Sequence, residues 1–205
     1  MWKSRTCWAP PLLWSAKACM RPARAGRNSK SSMARVRDFR QFAFQPSRIT
    51  RCGRNVGAEV YWKLYAIENT IRIVLHSVLS AQLNPNWWSV AVDPRIVGNA
   101  QRFRRSYVAN PHNASPGTHD IHLIFLSDLT EIMRANSHLI SPVVPTTNQW
   151  IVTLEGIRLP RNLVGHMNFP NAYDRNAIDA AYTQLPTLVA HLSASPNPIP
   201  IIIPQ

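Results

Sequence analysis

The chain has 205 residues, is 45% hydrophobic and carries a formal net charge of +13, which is enough apolar material for one domain with a real core and enough charge to suggest nucleic acid or an acidic surface as partner. No run reaches the roughly 18 to 20 apolar residues of a membrane span. The three cysteines, without CxxC spacing, leave no disulfide framework and fit a reducing, cytoplasmic compartment.

The charge is unevenly placed. Thirteen basic residues and one acid, Asp38, precede Glu59, while ten bases and nine acids follow from there on. Residues 1–57, rich in Arg, Ser and Pro, show no sustained apolar period and read as a basic, disordered arm. A transit peptide and a true start at Met33 are competing readings of the same composition. Residues 58–190 read as a nearly neutral helical domain and residues 191–205 as a proline-rich, extended tail.

From Glu59 the stretch EVYWKLYAIENTIRIVLHSVLSAQL has no Gly or Pro, and Val60, Leu64, Ile67, Ile71 and Val78 recur at helical spacing. Asn84-Pro85-Asn86 stops it. Asp93-Pro94 opens a second helix, basic on one side through Arg102, Arg104 and Arg105. NPHNASPGTH, residues 110–119, is a loop by composition. IHLIFL reads as a strand or an extended lead-in, and Ser127 or Asp128 as the cap of a helix through LTEIMRANSHL. Thr146 or Thr147 caps NQWIVTLEGIRL. Pro160 is expected to interrupt that helix and to start a new segment, RNLVGHMN. A last helix is expected from about Asp174 to Leu185.

The stretch LPRNLVGHMN concentrates the chemistry. With Pro160 opening a helix, Arg161 and Asn162 would occupy its first turn, where free N–H groups favour an anion. Asn162 and His166 are four apart on one face. A guanidinium fits a phosphate with paired donors, and a histidine can take or give a proton near neutral pH. Spacing alone is weak support. An Arg followed by a His after four to six residues is expected about twice by chance in this composition, and Arg105 with His112 is a second instance. A capped helix with a surface arginine and a histidine packed at the bend is the plain reading.

Other residues have plain readings too. Glu68 and Arg72, four apart, form an intrahelical ion pair or line a cleft opposite Arg161. Arg102, Arg104, Arg105 and Arg158 are a solvated face or an RNA-backbone track. His112, His119, His122 and Asp120 lie in or beside an irregular loop, so no metal site is read there. Trp87, Trp88 and Trp150 read as core or dimer contacts. There is no GxGxxG, P-loop, GxSxG or HExxH motif.

Taken together, YWKLYAIENTIRIVL with Glu68-Asn69 and Arg72, the pair Trp87-Trp88, IHLIFLSDLTEIMRAN, and TLEGIRLPRNLVGH resemble, in this order, the HEPN superfamily in its Swt-type version, over about residues 59–185. Arg161, Asn162 and His166 match the family's Arg–polar–His signature. Pro160 directly before the arginine departs from it. The resemblance implies an all-α, HEPN-like helical bundle with long loops that forms a homodimer and cleaves RNA without metal or other cofactor. Arg161, Asn162 and His166 would be its catalytic residues. A toxin or defence role, held in check by an antitoxin or regulatory protein, is part of that expectation. Two alternatives are a non-catalytic HEPN module that dimerises and binds nucleic acid or protein, and a protein whose nucleic-acid binding resides in the arm.

Overall fold

The apolar stripe that starts at Val60 becomes the axis of the fold. In the computed structural model, which describes residues 38–205, helix α2 (Trp62–Gln82) buries Leu64, Ile67, Ile71, Val74, Leu75, Val78 and Leu79 on one side. At 1.5 Å per residue its 21 residues span about 31 Å. The other helices are α1 (Pro46–Val56), α3 (Trp87–Ala91), α4 (Pro94–Val108), α5 (Leu126–Ala135), α6 (Ser137–Ile140), α7 (Thr147–Gly165), α8 (Ala172–Thr183) and α9 (Leu185–Ala194). Helices α5, α6, α8 and α9 pack on α2, while α7 packs across α5 and α8. The result is an all-α bundle with long loops, and no strand occurs among the described residues. No helix of these residues is long and apolar enough to cross a membrane.

Trp87 and Trp150 are core residues, and Trp88 packs partly buried against the same core. Ion pairs tie the periphery: Lys63 to Asp179 at 2.5 Å, Arg95 to Glu131 at 2.6 Å, and Arg134 to Glu155. Pairs like these, each with at least one largely exposed partner, contribute on the order of 1 kcal/mol or less, so the buried apolar stripe dominates.

Several elements differ from the sequence reading, each for a local reason. The segment 46–56, read as part of a disordered arm, is helix α1. Ile49, Cys52 and Val56 give it a narrow apolar face, Arg48, Arg51 and Arg54 take other positions, and Pro46 occupies the first turn. A π-turn at Gly57–Tyr61 carries it into α2 without a break. What was expected of residues 1–37, including Met33 and two of the cysteines, lies outside the described residues.

IHLIFL is neither strand nor uniform lead-in: Asp120–Leu123 form one 3-10 turn before extended Ile124. Phe125, not Ser127 or Asp128, is the cap of α5, and the Asp128 carboxylate reaches back to accept the Phe125 N–H at 3.0 Å. The helix expected from Asp174 begins at Ala172. Asn171 and Asp174 cap it reciprocally, with bonds of 3.0 and 2.9 Å. It ends at Thr183, and α9 follows, with Pro186 tolerated in its first turn and Leu185, Leu188 and Leu192 buried.

The extended residues after α9 return over α2. Ile199 is buried and its N–H bonds Leu192 O, Ile202 N–H bonds Ser77 Oγ at 2.8 Å, and the Gln205 carbonyl accepts the His119 N–H.

Pro160 requires the largest revision. Helix α7 does not stop there but runs through to Gly165. Thr147, Trp150, Ile151, Leu154, Ile157, Pro160 and Val164 form one continuous buried stripe at helical spacing. An interior proline costs about 3 kcal/mol. Burial of the stripe, at roughly 1.5 to 3 kcal/mol per large apolar side chain, outweighs that cost.

A cleft built on Glu68, Arg72 and Arg161

Because α7 is continuous, Arg161 lies near its C-terminal end, not at a helix N-terminus. The expected anion site of free N–H groups is therefore absent, and the negative end of the α7 dipole favours the arginine's own positive charge instead. Any anion bound here must be held by side chains.

Those side chains are present. Arg161 Nε donates to Glu68 Oε1 at 2.6 Å across the gap between α7 and α2, and Arg72 Nη2 donates to Glu68 Oε2 at 3.1 Å. Each oxygen of one carboxylate thus holds a different guanidinium. The intrahelical pair and the cleft-lining arrangement, alternatives in the sequence, coexist.

Arg72 is buried and almost saturated. It also donates to Ile121 O at 3.1 Å, Ile124 O at 3.0 Å and Asn69 Oδ1 at 3.3 Å, which ties α2 to the 3-10 turn. Burial pulls its guanidinium below the ordinary value, against the opposing pull of Glu68. Arg161 is different. Among the described residues only its Nε has a hydrogen-bond partner, so Nη1 and Nη2 keep their donors. Its guanidinium lies 5.7 Å from the Phe125 ring centroid, and a Cβ added at Gly165 would come within 3.5 Å of Nη1.

The three residues line a cavity of about 540 Å3, together with Tyr61, Tyr65, Asn69 and His122. A second cavity of about 240 Å3, lined by Phe103, Tyr107 and Phe125, shares Arg72, Arg161 and His122 with the first. His122 Nε2 donates to Pro204 O at 2.9 Å. The loop passes close to that ring at Gly117: a Cβ there would lie 2.8 Å from His122 Cδ2, so a larger residue would push the ring or the loop aside.

The remaining expected site residues are placed as follows. His166 is the exposed C-cap of α7, and its N–H bonds Asn162 O at 2.9 Å. Asn162 is exposed as well, and neither residue lines either cavity. The helix closes with Met167 N–H on Val164 O and Asn168 N–H on Leu163 O, and Met167 in the left-handed region at φ 59°.

Arg104 is a structural tie: it donates to Gly117 O, Thr118 O and Asp120, which holds the 110–119 loop. Arg102 reaches only Asn99 and the Phe103 ring, while Arg105 and Arg158 are exposed. His112 is exposed. His119 instead joins His76, Trp87 and Trp88 in an aromatic cluster. No group of three or more His, Cys, Asp or Glu among the described residues is arranged to hold a metal ion.

The sequence reading missed the cleft's rings. Tyr61 and Tyr65 are four apart on one face, but an aromatic at helical spacing is an ordinary core signal. Only their exposure, 59% and 64%, sets them apart. His122 was legible only as part of a loop.

Protein-family models, curated proteins and solved structures contain no match to this chain.

Proposed function

We propose that this chain is a metal-independent endoribonuclease of HEPN type that acts as a homodimer. The observation that carries the reading is Arg161. Its Nε is held by Glu68, and its two terminal nitrogens keep their donors at a cleft of phosphate-accepting size and charge. A carboxylate that fixes one edge of a guanidinium orients the other edge in advance, so little is lost in ordering it on binding.

In the proposed reaction, His166 removes the proton of a ribose 2′-hydroxyl. The oxygen attacks the adjacent phosphorus and the bond to the 5′-oxygen breaks. His166 of the second copy gives that oxygen a proton. The products are a 2′,3′-cyclic phosphate and a 5′-hydroxyl. Arg161 offsets the charge that builds on the phosphate, and Asn162 holds His166 or the phosphate. The exposure of His166 at the end of α7 leaves it accessible to a second protomer. A toxin or defence role, with a protein that restrains the activity, follows from the same family resemblance.

A second reading, a binding module without catalysis, is favoured by one observation: His166 lines neither cavity that Arg161 lines. The deciding experiment is incubation of the full chain with total RNA in EDTA, followed by mapping of the ends. Wild type should yield cyclic phosphate ends, and His166→Ala should cut on the order of 1,000-fold more slowly while keeping fold and dimer. Cutting by His166→Ala at the wild-type rate overturns the mechanism. Binding without cutting by the wild type selects the module.

A further inference from the structure

We infer that the apolar cavity between α1 and the C-terminal end of α7 is a binding site for a small, uncharged apolar molecule, and that its occupant governs the placement of His166. The binding is independent of the RNA reading; its consequence for cleavage rests on that reading.

The cavity measures about 500 Å3, a size typical of small-molecule sites. Helix α1 supplies Ile49, Cys52 and Val56 to its wall, and none of the described residues that line it carries a charge. It also has depth. Cys52 and Val164, 7% and 4% exposed, form its floor, whereas Ile49 and Met167, 41% and 88% exposed, stand at its rim. A flat protein face does not reach such a floor, but a small molecule does. Water gains little there, because an apolar wall offers it too few hydrogen bonds.

Two glycines leave the space open. Gly53 and Gly57, four apart on one helical face, both line the cavity, and a Cβ at either would meet nothing within 4 Å. Gly57 has ordinary helical angles, φ −60° and ψ −50°, where alanine is the more stable residue. A side chain at either position would fill the space without straining the backbone.

The opposite wall is the segment that carries His166. Val164, Gly165, Met167, Asn168 and Phe169 all line the cavity, and His166 is the one residue of that run that does not. Asn168 ties the imidazole-bearing residue to the wall: its Nδ2 donates to His166 O at 3.0 Å, and its Oδ1 accepts from Arg40 Nη1 at 3.4 Å. That amide is engaged at both ends, which leaves apolar contact as the means of recognition. Tyr61, Val164 and Gly165 also line the larger lobe of the cleft, the cavity that holds Arg161. A ligand favours the conformation whose cavity it fits. In this one His166 is exposed and open to a second protomer, so the occupant is an activator.

The probe is N-phenyl-1-naphthylamine, uncharged and fluorescent in apolar surroundings, titrated into the full chain. It should bind saturably, and at least roughly tenfold more tightly than the anionic 1-anilinonaphthalene-8-sulfonate, since a sulfonate finds no partner among uncharged walls. Gly53→Leu and Gly57→Leu should each weaken the uncharged probe roughly tenfold by filling its space, with Tm unchanged or raised. Phe44→Ala, which removes an 80% exposed ring outside the cavity, should bind like the wild type. In proton–carbon NMR spectra the His166 ring signal, identified by its loss in His166→Ala, should shift on saturation, while that of exposed His138 on α6 should not. RNA cleavage should rise roughly fivefold or more over the same titration.

Tighter binding of the sulfonate, or full binding by both leucine variants, overturns the site. Probe binding that emerges only on dilution, as light scattering shows copies separating, gives the cavity to a second copy and also overturns it. Binding without a shift at His166, or with cleavage unchanged, overturns the control of His166. A wild type that cuts no RNA yet binds the probe and shifts His166 removes the nuclease reading and supports the site.

Discussion

Arg104 and Arg161 invite a direct comparison. Each reaches from a helix to a carboxylate, and their side chains are equally exposed, at 26% and 25%. Arg104 uses all three nitrogens, on Asp120 and on two loop carbonyls. Arg161 uses one. A saturated guanidinium holds structure; a half-saturated one on a cavity can still bind a ligand. The distinction lies in the number of acceptors within reach, not in charge, exposure or helix position.

Paired substitutions break or confirm this contrast. Arg161→Ala should lower RNA cleavage on the order of 100-fold with little change in Tm, while Arg104→Ala should retain cleavage. Similar losses of activity in both would end the distinction. Glu68→Ala is expected to destabilise the fold by about 3 kcal/mol in urea unfolding, because it leaves buried Arg72 without its counter-charge. Arg104→Ala should cost about 2 kcal/mol, by leaving Gly117 O, Thr118 O and Asp120 without their donor. Activity assays and melts on the same preparations would separate the two kinds of arginine.

Beside the Arg104 loop, His119 provides a pH-dependent measure. Its Nδ1 accepts the Ile121 N–H at 3.1 Å, and burial, with His76 and His122 nearby, pushes its pKa down to about 4. His76, whose Nδ1 accepts from Trp87 Nε1 at 3.1 Å, is lowered too, chiefly by burial. An unfolded histidine titrates near 6.5, so between about 6.5 and 4 the unfolded chain binds more protons than the folded one. Stability should fall as the pH drops through that window. In His119→Asn, which retains an acceptor for Ile121, the fall in Tm from pH 7 to pH 4.5 should be smaller. An unchanged fall would assign it elsewhere.

The smallest expected effect is at the end of the Arg161 helix. Met167→Gly should stabilise by roughly 0.5 to 1 kcal/mol, since a non-glycine at φ 59° is strained. It should leave RNA cleavage unchanged, as Met167 lines neither lobe of the cleft.

The helical class and the stripe of α2 were legible because burial repeats at helical spacing along Leu64, Ile67, Ile71 and Val78. Arg161, Glu68 and Arg72 could be named as candidates, but not their shared carboxylate, since 93 residues separate Arg161 from Glu68. Pro160 was misleading because a local rule about proline met a buried stripe that continues past it. Helix α1 was hidden by arginines on its outer positions, and α9 by the prolines around it. The rings of the cleft carried no local signal at all: Tyr61, Tyr65, Tyr107 and Phe125 acquire their meaning from where the chain brings them.

The returning tail is held through main-chain carbonyls, Pro204 to His122 on the wall of the cleft and Gln205 to His119 beside the aromatic cluster. Every amino acid carries that carbonyl, so these two hydrogen bonds do not depend on residue identity, although the buried Pro204 ring also packs. They do depend on length. Deleting or inserting one residue between Ile199 and Pro204 would shift the acceptors out of register by about 3.3 Å and free the imidazole that both lobes share. At the exposed positions Ile201, Ile202 and Ile203, mutational scanning by substitution should find tolerance where scanning by deletion finds none.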